Sequence, residues 1–141
     1  MKKFAVTSAL LLCALLVSLI APFSAPADDL ESEWELASDA TVDGVTGPQN
    51  YKTYTVNLSM RGNKFVGRYI GNVAGNEHPN SIFSGETSVA SGTKVINFHE
   101  YDADYHVAYT GKEVSPNTYE GTWYSSNAQS GSFKLQPKPK K

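Results

Sequence analysis

Residues 99–106 read His-Glu-Tyr-Asp-Ala-Asp-Tyr-His, so two imidazoles and three carboxylates fall within eight positions. Such side chains ligate metals and move protons, but a zinc or copper centre needs three or four of them converging on one point, with hydrogen-bond partners behind. In a strand–turn–strand segment the outcome rests on parity, because alternate side chains leave opposite faces. If the loop between Tyr101 and His106 holds an even number of residues, Tyr101 stands opposite His106. Ile96, Phe98, Val107 and Tyr109 then share one face, and His99 and His106 lie diagonally adjacent on the other with Asn97, Tyr101 and Thr110. An odd loop mixes Val95, Asn97 and His99 with Val107, so the even register, with its cleaner apolar face, is the expected one. It leaves His99 and His106 as candidate ligands short of a metal site: Glu100 points the other way and His78 belongs to a separate loop. Asp102 and Asp104 read as turn residues that cap local backbone groups.

The same register turns Glu100 inward, near the mouth of whatever the strands enclose. A carboxylate there must be hydrated, hydrogen-bonded or paired, and Tyr69, Tyr105 and Tyr109 are available hydroxyl donors. Glu100 is either a wet rim residue or a polar anchor for a bound molecule. No Gly-x-Ser-x-Gly elbow and no His-Glu-x-x-His pair occurs, and the single cysteine, Cys13, lies in the leader described below. With no nucleophile, acid and base in view, neither an enzymatic activity nor a cofactor is expected.

The elements that must position these residues are strands. A two-residue alternation recurs over eight segments, 31–37, 51–61, 64–71, 81–90, 94–102, 105–112, 118–124 and 131–136, separated by turn-rich breaks such as "DGVTGPQN", "NVAGNEHPN" and "VSPN". Eight short strands joined mostly by tight turns predict an all-β, up-and-down antiparallel meander, and eight is a number that closes into a small barrel. Gly62-Asn63 is a two-residue hairpin turn that pairs Arg61 with Lys64, placing Tyr54, Val56, Leu58 and Met60 on one face with Phe65, Gly67 and Tyr69. Four strands repeat aromatic-x-Gly, at Phe65/Gly67, Phe83/Gly85, Tyr109/Gly111 and Tyr119/Gly121, setting a ring beside a missing side chain on the same face. At the ends, Glu31, Glu33 and Glu35 alternate against Trp34 and Leu36, while Phe133 and Leu135 alternate with Lys134. Pairing the first strand with the last brings those acids to Lys134 and the first lysines of "QPKPKK". The tail 137–141 reads as a solvated basic end.

Lys2 and Lys3, the apolar run Phe4–Ile20 and the small-residue site Ala25-Pro26-Ala27 form an export signal, with cleavage after Ala27. An apolar run of that length approaches a membrane span, but the Ala-Pro-Ala site argues for removal, so no stable membrane insertion is expected afterwards. Asp28 to Lys141 leaves 114 residues, one domain over 28–136 followed by the tail. Ten basic residues against fourteen acidic ones give this part a formal charge of −4, which supplies no drive toward nucleic acid. Without cysteine it cannot use disulfides and must hold together by burial. The expected location is secreted or periplasmic.

In strand number, turn spacing and interior aromatics, residues 31–136 resemble the calycin superfamily of small exported barrels, the lipocalin-like and avidin-like proteins. Gly121-Thr-Trp123-Tyr looks like the Gly-x-Trp signature of those families, although there it opens the first strand and here it falls in the seventh. The first strand carries Ser32-Glu-Trp34, serine standing where glycine is usual. The resemblance implies non-covalent ligand binding in the lumen, with Trp34 plugging the barrel floor; it specifies no ligand. The expectation is a lumen lined by Tyr54, Tyr69, Phe83, Phe98, Tyr109, Tyr119 and Trp123, holding a small apolar or aromatic molecule with Glu100 as its anchor. The alternative is an extracellular protein-interaction module, such as a hydrolase inhibitor, acting through the loops 38–50 and 72–80. A void in the lumen separates the two; a lumen packed solid leaves no ligand site.

Overall fold

A computed structural model describes residues 30–39 and 51–141. The signal segment, Asp28, the loop residues 40–50 and the Glu31 side chain lie outside the described residues.

Each alternating segment forms a strand: β1 (Leu30–Ser38), β2 (Lys52–Arg61), β3 (Lys64–Ile70), β4 (Ile82–Ala90), β5 (Thr93–Asp102), β6 (Tyr105–Ser115), β7 (Thr118–Ser125) and β8 (Ser130–Pro137). Each pairs antiparallel with its sequence neighbours, and β8 returns to β1 to close the barrel. The seam runs from Trp34 opposite Pro137 to Ser38 opposite Phe133. The expected registers hold: Arg61 faces Lys64, and Tyr101 faces His106 across the even turn Ala103-Asp104. Turn chemistry enforces them, since Gly62, Ser91, Gly92 and Ala103 all take the positive φ that two-residue hairpin turns require.

Most strands shift by one residue at an end, and two departures carry a structural consequence. β6 continues three residues past 112, because a bulge between Glu113 and Ser115 absorbs an irregular register before the Pro116-Asn117 turn. At the C-terminus the solvated tail starts later than 137: Pro137 pairs with Trp34, Lys138 N–H donates to the Glu33 carbonyl at 2.9 Å, and Lys138 Nζ lies 3.0 Å from Glu33 Oε2. Lys138 thus meets a first-strand acid as the closure argument required. Lys134 does not; it sits 3.9 Å from Glu120 on β7, the neighbour on its other side, and Gln136 donates to Glu35 in its place.

Inward positions supply one core of Trp34, Leu36, Val56, Leu58, Phe65, Phe83, Ile96, Phe98, Val107, Tyr109, Tyr119, Trp123, Phe133 and Leu135. The aromatic-x-Gly pattern explains how so many rings fit. A Cβ on Gly111 would stand 2.8 Å from Phe133 Cζ, so a ring from β8 occupies that hollow, while Cβ atoms on Gly67, Gly85 and Gly121 would collide with the backbone of the adjoining strand, which approaches closely there. Phe98 stacks on Tyr109 at 4.3 Å and 4°, and Phe133 closes edge-on against both, at 5.4 and 5.3 Å. At about 1.5–3 kcal/mol per buried large side chain, this column is the main source of stability in a chain without disulfides. Apolar inside and carrying Glu33, Asn57, Arg68 and Asn97 outward, the wall is the reverse of a membrane-spanning barrel.

The meander gives the barrel two unlike ends. The turn end carries Gly62-Asn63, Ser91-Gly92, Pro116-Asn117 and the outer termini of β1 and β8; the loop end carries residues 71–81, the turns at 103–104 and 126–129, and Asp39.

Candidate functional site

At the loop end the lumen is closed by polar contacts. Glu100, expected near a mouth, is only 3% exposed. Its Oε1 accepts from the Tyr69 hydroxyl at 3.1 Å and its Oε2 from the Tyr109 hydroxyl at 2.7 Å. The wet-rim placement is therefore corrected: parity set the direction of the side chain, and the Tyr69 and Tyr109 hydroxyls hold it below the surface. Burial, and then the Glu100 charge beside them, push the Tyr69 and Tyr109 hydroxyls well above their ordinary pKa, so both stay neutral donors; the nearby Asn76 amide opposes the shift at Tyr69.

Tyr105, the third expected donor, stacks instead against His78 at 3.7 Å and 7°. His78 Nδ1 lies 3.2 Å from Asp102 Oδ2, so Asp102 holds the opposite loop rather than capping its own turn, and His78 is not remote from the 99–106 hairpin. The loop keeps that shape through its own residues: His78 N–H donates to Asn76 Oδ1, and Ser81 Oγ donates to the His78 carbonyl. Trp123 donates to the Asp39 carbonyl at 2.7 Å, and Asp39 Oδ1 accepts from Ser132 N–H and Oγ, tying down the end of β1.

Tyr54, Tyr69, Phe83, Phe98, Glu100, Tyr109 and Trp123, seven of the eight expected lumen-lining residues, are thus brought together as filling and plug. Tyr119 lies apart from them and borders open space at the turn end. At the turn end a cavity of about 110 Å³ is lined by Trp34, Leu58, Met60, Phe65, Thr87, Lys94, Ile96, Tyr119 and Leu135, with Gly62 and Asn117 at its edge. Trp34, expected to plug a floor, is one of its walls, its Nε1 donating to Ser32 Oγ at 2.6 Å. The Gly62-Asn63 turn is clamped to β4 beside it: Thr87 N–H donates to the Asn63 carbonyl at 2.8 Å and Asn63 Nδ2 returns a bond to the Thr87 carbonyl.

The charged group of this cavity is Lys94, which sequence reasoning passed over although Lys94, Ile96, Phe98 and Glu100 share one parity along β5. Its Nζ lies 5.7 Å from the Tyr119 ring centroid and 3.7 Å from Glu113 Oε1. A hydrogen bond with Tyr119 raises its pKa, burial partly opposes it and the charge of Glu113 adds a smaller rise, so the rim holds a cation.

On the outer wall, His99 Nδ1 and His106 Nε2 sit 2.8 Å apart, and Tyr101 stacks on His106 at 4.7 Å. The ring centroids are 5.0 Å apart, so the two nitrogens face each other almost in line, one ring donating to the other as their tautomers dictate. Among the described residues no group of three or more His, Cys, Asp or Glu converges on a metal position. A larger recess of about 530 Å³ over β6–β8, lined by Ala108, Thr110, Thr122, Trp123, Tyr124 and Ser132, is an open trough, and Trp123 is the expected lumen residue that reaches it.

No family model matches the chain, and no curated protein matches it. Among solved structures it is similar to that of a redesigned β-barrel, at 10% identity and a TM-score of 0.50, covering 78% of this chain and 92% of that one. At that identity the likeness is one of fold.

Proposed function

We propose that this protein is an exported, non-catalytic binding protein that seats one small apolar or aromatic molecule at the turn end of its barrel. The observation that carries the reading is the 110 Å³ cavity between Trp34, Met60, Phe65, Ile96 and Leu135, in a lumen otherwise packed with rings. A cavity of this order takes a single six-membered ring or a short branched chain, and apolar burial supplies the affinity. The leader of residues 1–27 supports export, and the closed barrel is the architecture that the calycin resemblance implied. The interaction reading has less support. Residues 72–80 bend inward on His78, and the large exposed apolar side chains, Val66, Ile82, Val89, Tyr101, Val114 and Tyr124, lie on strands.

Titration with toluene, followed by methyl NMR of the Met60, Leu58, Ile96 and Leu135 groups, tests it. Saturable shifts at those methyls, with Val107 unmoved, are expected. Shifts confined to the outer trough near Ala108, or none up to the solubility limit, overturn it.

A further inference from the structure

The turn-end cavity is apolar along its walls but not at its rim, and the rim names the class of molecule. Resting on the cavity being a binding site, we infer that its ligand is a small amphipathic anion, a ring or short chain bearing one carboxylate, with the apolar part among Trp34, Met60, Phe65 and Ile96 and the carboxylate on the Lys94 ammonium.

Three observations converge. Lys94 has the inward parity of β5, pairing with Val89 on β4 one step beyond Ile96, so its stem borders the cavity while its head reaches the opening. Its ammonium is incompletely used: Glu113 Oε1, at 3.7 Å, is beyond hydrogen-bond distance and already accepts the Asn117 N–H at 2.9 Å. Of three ammonium donors, at least one remains for an incoming oxygen. The surrounding charge agrees as well. Arg61, Lys64, Lys94, Lys138, Lys140 and Lys141 stand at the turn end against Glu31, Glu33, Glu86 and Glu113, so the local balance where the cavity opens is positive and favours an anion. A cationic ligand would meet Lys94 head-on, and a neutral one would leave its remaining donor to water.

Three probes of one shape separate the charge from the cavity: phenylacetate, 2-phenylethanol and 2-phenylethylammonium, titrated at pH 7 and low salt against the processed chain. Phenylacetate should bind about five-fold more tightly than the alcohol, and the amine more weakly than either, with the same Met60 and Ile96 methyls shifting. Lys94→Met, which keeps an unbranched apolar stem, should bring phenylacetate to within two-fold of the alcohol. Glu113→Gln, which removes the competing carboxylate, should tighten phenylacetate and not the alcohol. If the alcohol or the amine binds as well as phenylacetate, or Lys94→Met keeps the preference, the assignment of an anion falls while the cavity reading stands. If none of the three moves the cavity methyls, both fall.

Discussion

The loop end and the turn end of this barrel are built from the same inward-facing rows and finish in opposite states. At the loop end the inward groups are the more polar, Glu100 with the tyrosines at 69, 105 and 109, and yet that end is shut. At the turn end the walls are apolar and the space is open. The difference lies in what the rows carry at their last inward positions. On β4, β5 and β6 these are Val89, Lys94 and Glu113, none of which reaches across the lumen, whereas the loop-end rows finish in rings that touch one another and a loop that folds over them. A buried carboxylate in a small barrel is therefore no signpost to a pocket. Once two tyrosines satisfy it, it is a filler whose partners fix its place.

If that contrast is right, substitutions at the loop end and centre should cost stability and spare binding, and those at the turn end should do the reverse. The largest loss belongs to the ring column: Phe133 is 0% exposed and fills the hollow over Gly111, so Phe133→Ala should cost about 3–5 kcal/mol in urea denaturation. A cost under about 1 kcal/mol would mean that the column is loosely packed. Next comes Glu100→Ala, which strands two buried hydroxyls at roughly 1–3 kcal/mol each and should leave toluene binding unaltered.

The same network gives a pH signature. The folded pKa values of Tyr69 and Tyr109 lie above their unfolded value near 10, so their contribution is fully present below about pH 10 and is lost as pH rises beyond it. Stability should fall above pH 10, and the fall should flatten in a Tyr69→Phe/Tyr109→Phe variant. An alkaline limb unchanged by those substitutions would detach the tyrosines from the plug. Smaller again is His78→Ala: loss of its stacking on Tyr105 and its half-exposed contact with Asp102 should cost about 1 kcal/mol and speed amide exchange across 72–80, without touching the cavity methyls.

What the sequence could and could not convey follows the same division. The eight strands, the Gly62-Asn63 turn, the even 101–106 loop and the closure of β1 on β8 were legible because a period of two is a local property. Which residues face inward was legible for the same reason, and Glu100 does face inward. Depth was not, because it depends on strand tilt and stagger, which no single strand encodes. Glu100 was accordingly placed at a rim it does not occupy, and Lys94, of the same parity six residues earlier, went unnoticed at a rim it does. The His78–Asp102 contact was illegible for a further reason: the fold of 71–81 rests on Asx-type bonds and on a stack with Tyr105, neither of which has a period.

The smallest expected effect tests the comparison most sharply. Lys94 sits where a turn-end variant ought to change binding alone. Its pairing with Glu113 is long and its side chain 39% exposed, a geometry worth at most about 0.5 kcal/mol once solvent screening is counted. Its position 5.7 Å from the Tyr119 centroid adds about as much. Lys94→Met removes both but keeps apolar contact along the stem, which offsets part of the loss. The midpoint of unfolding should therefore stay within about 0.5 kcal/mol of the parent, while the preference for phenylacetate over its alcohol disappears. A cost above 2 kcal/mol would show that Lys94 holds the turn end together much as Glu100 holds the loop end, and the division of labour between the two ends would be lost.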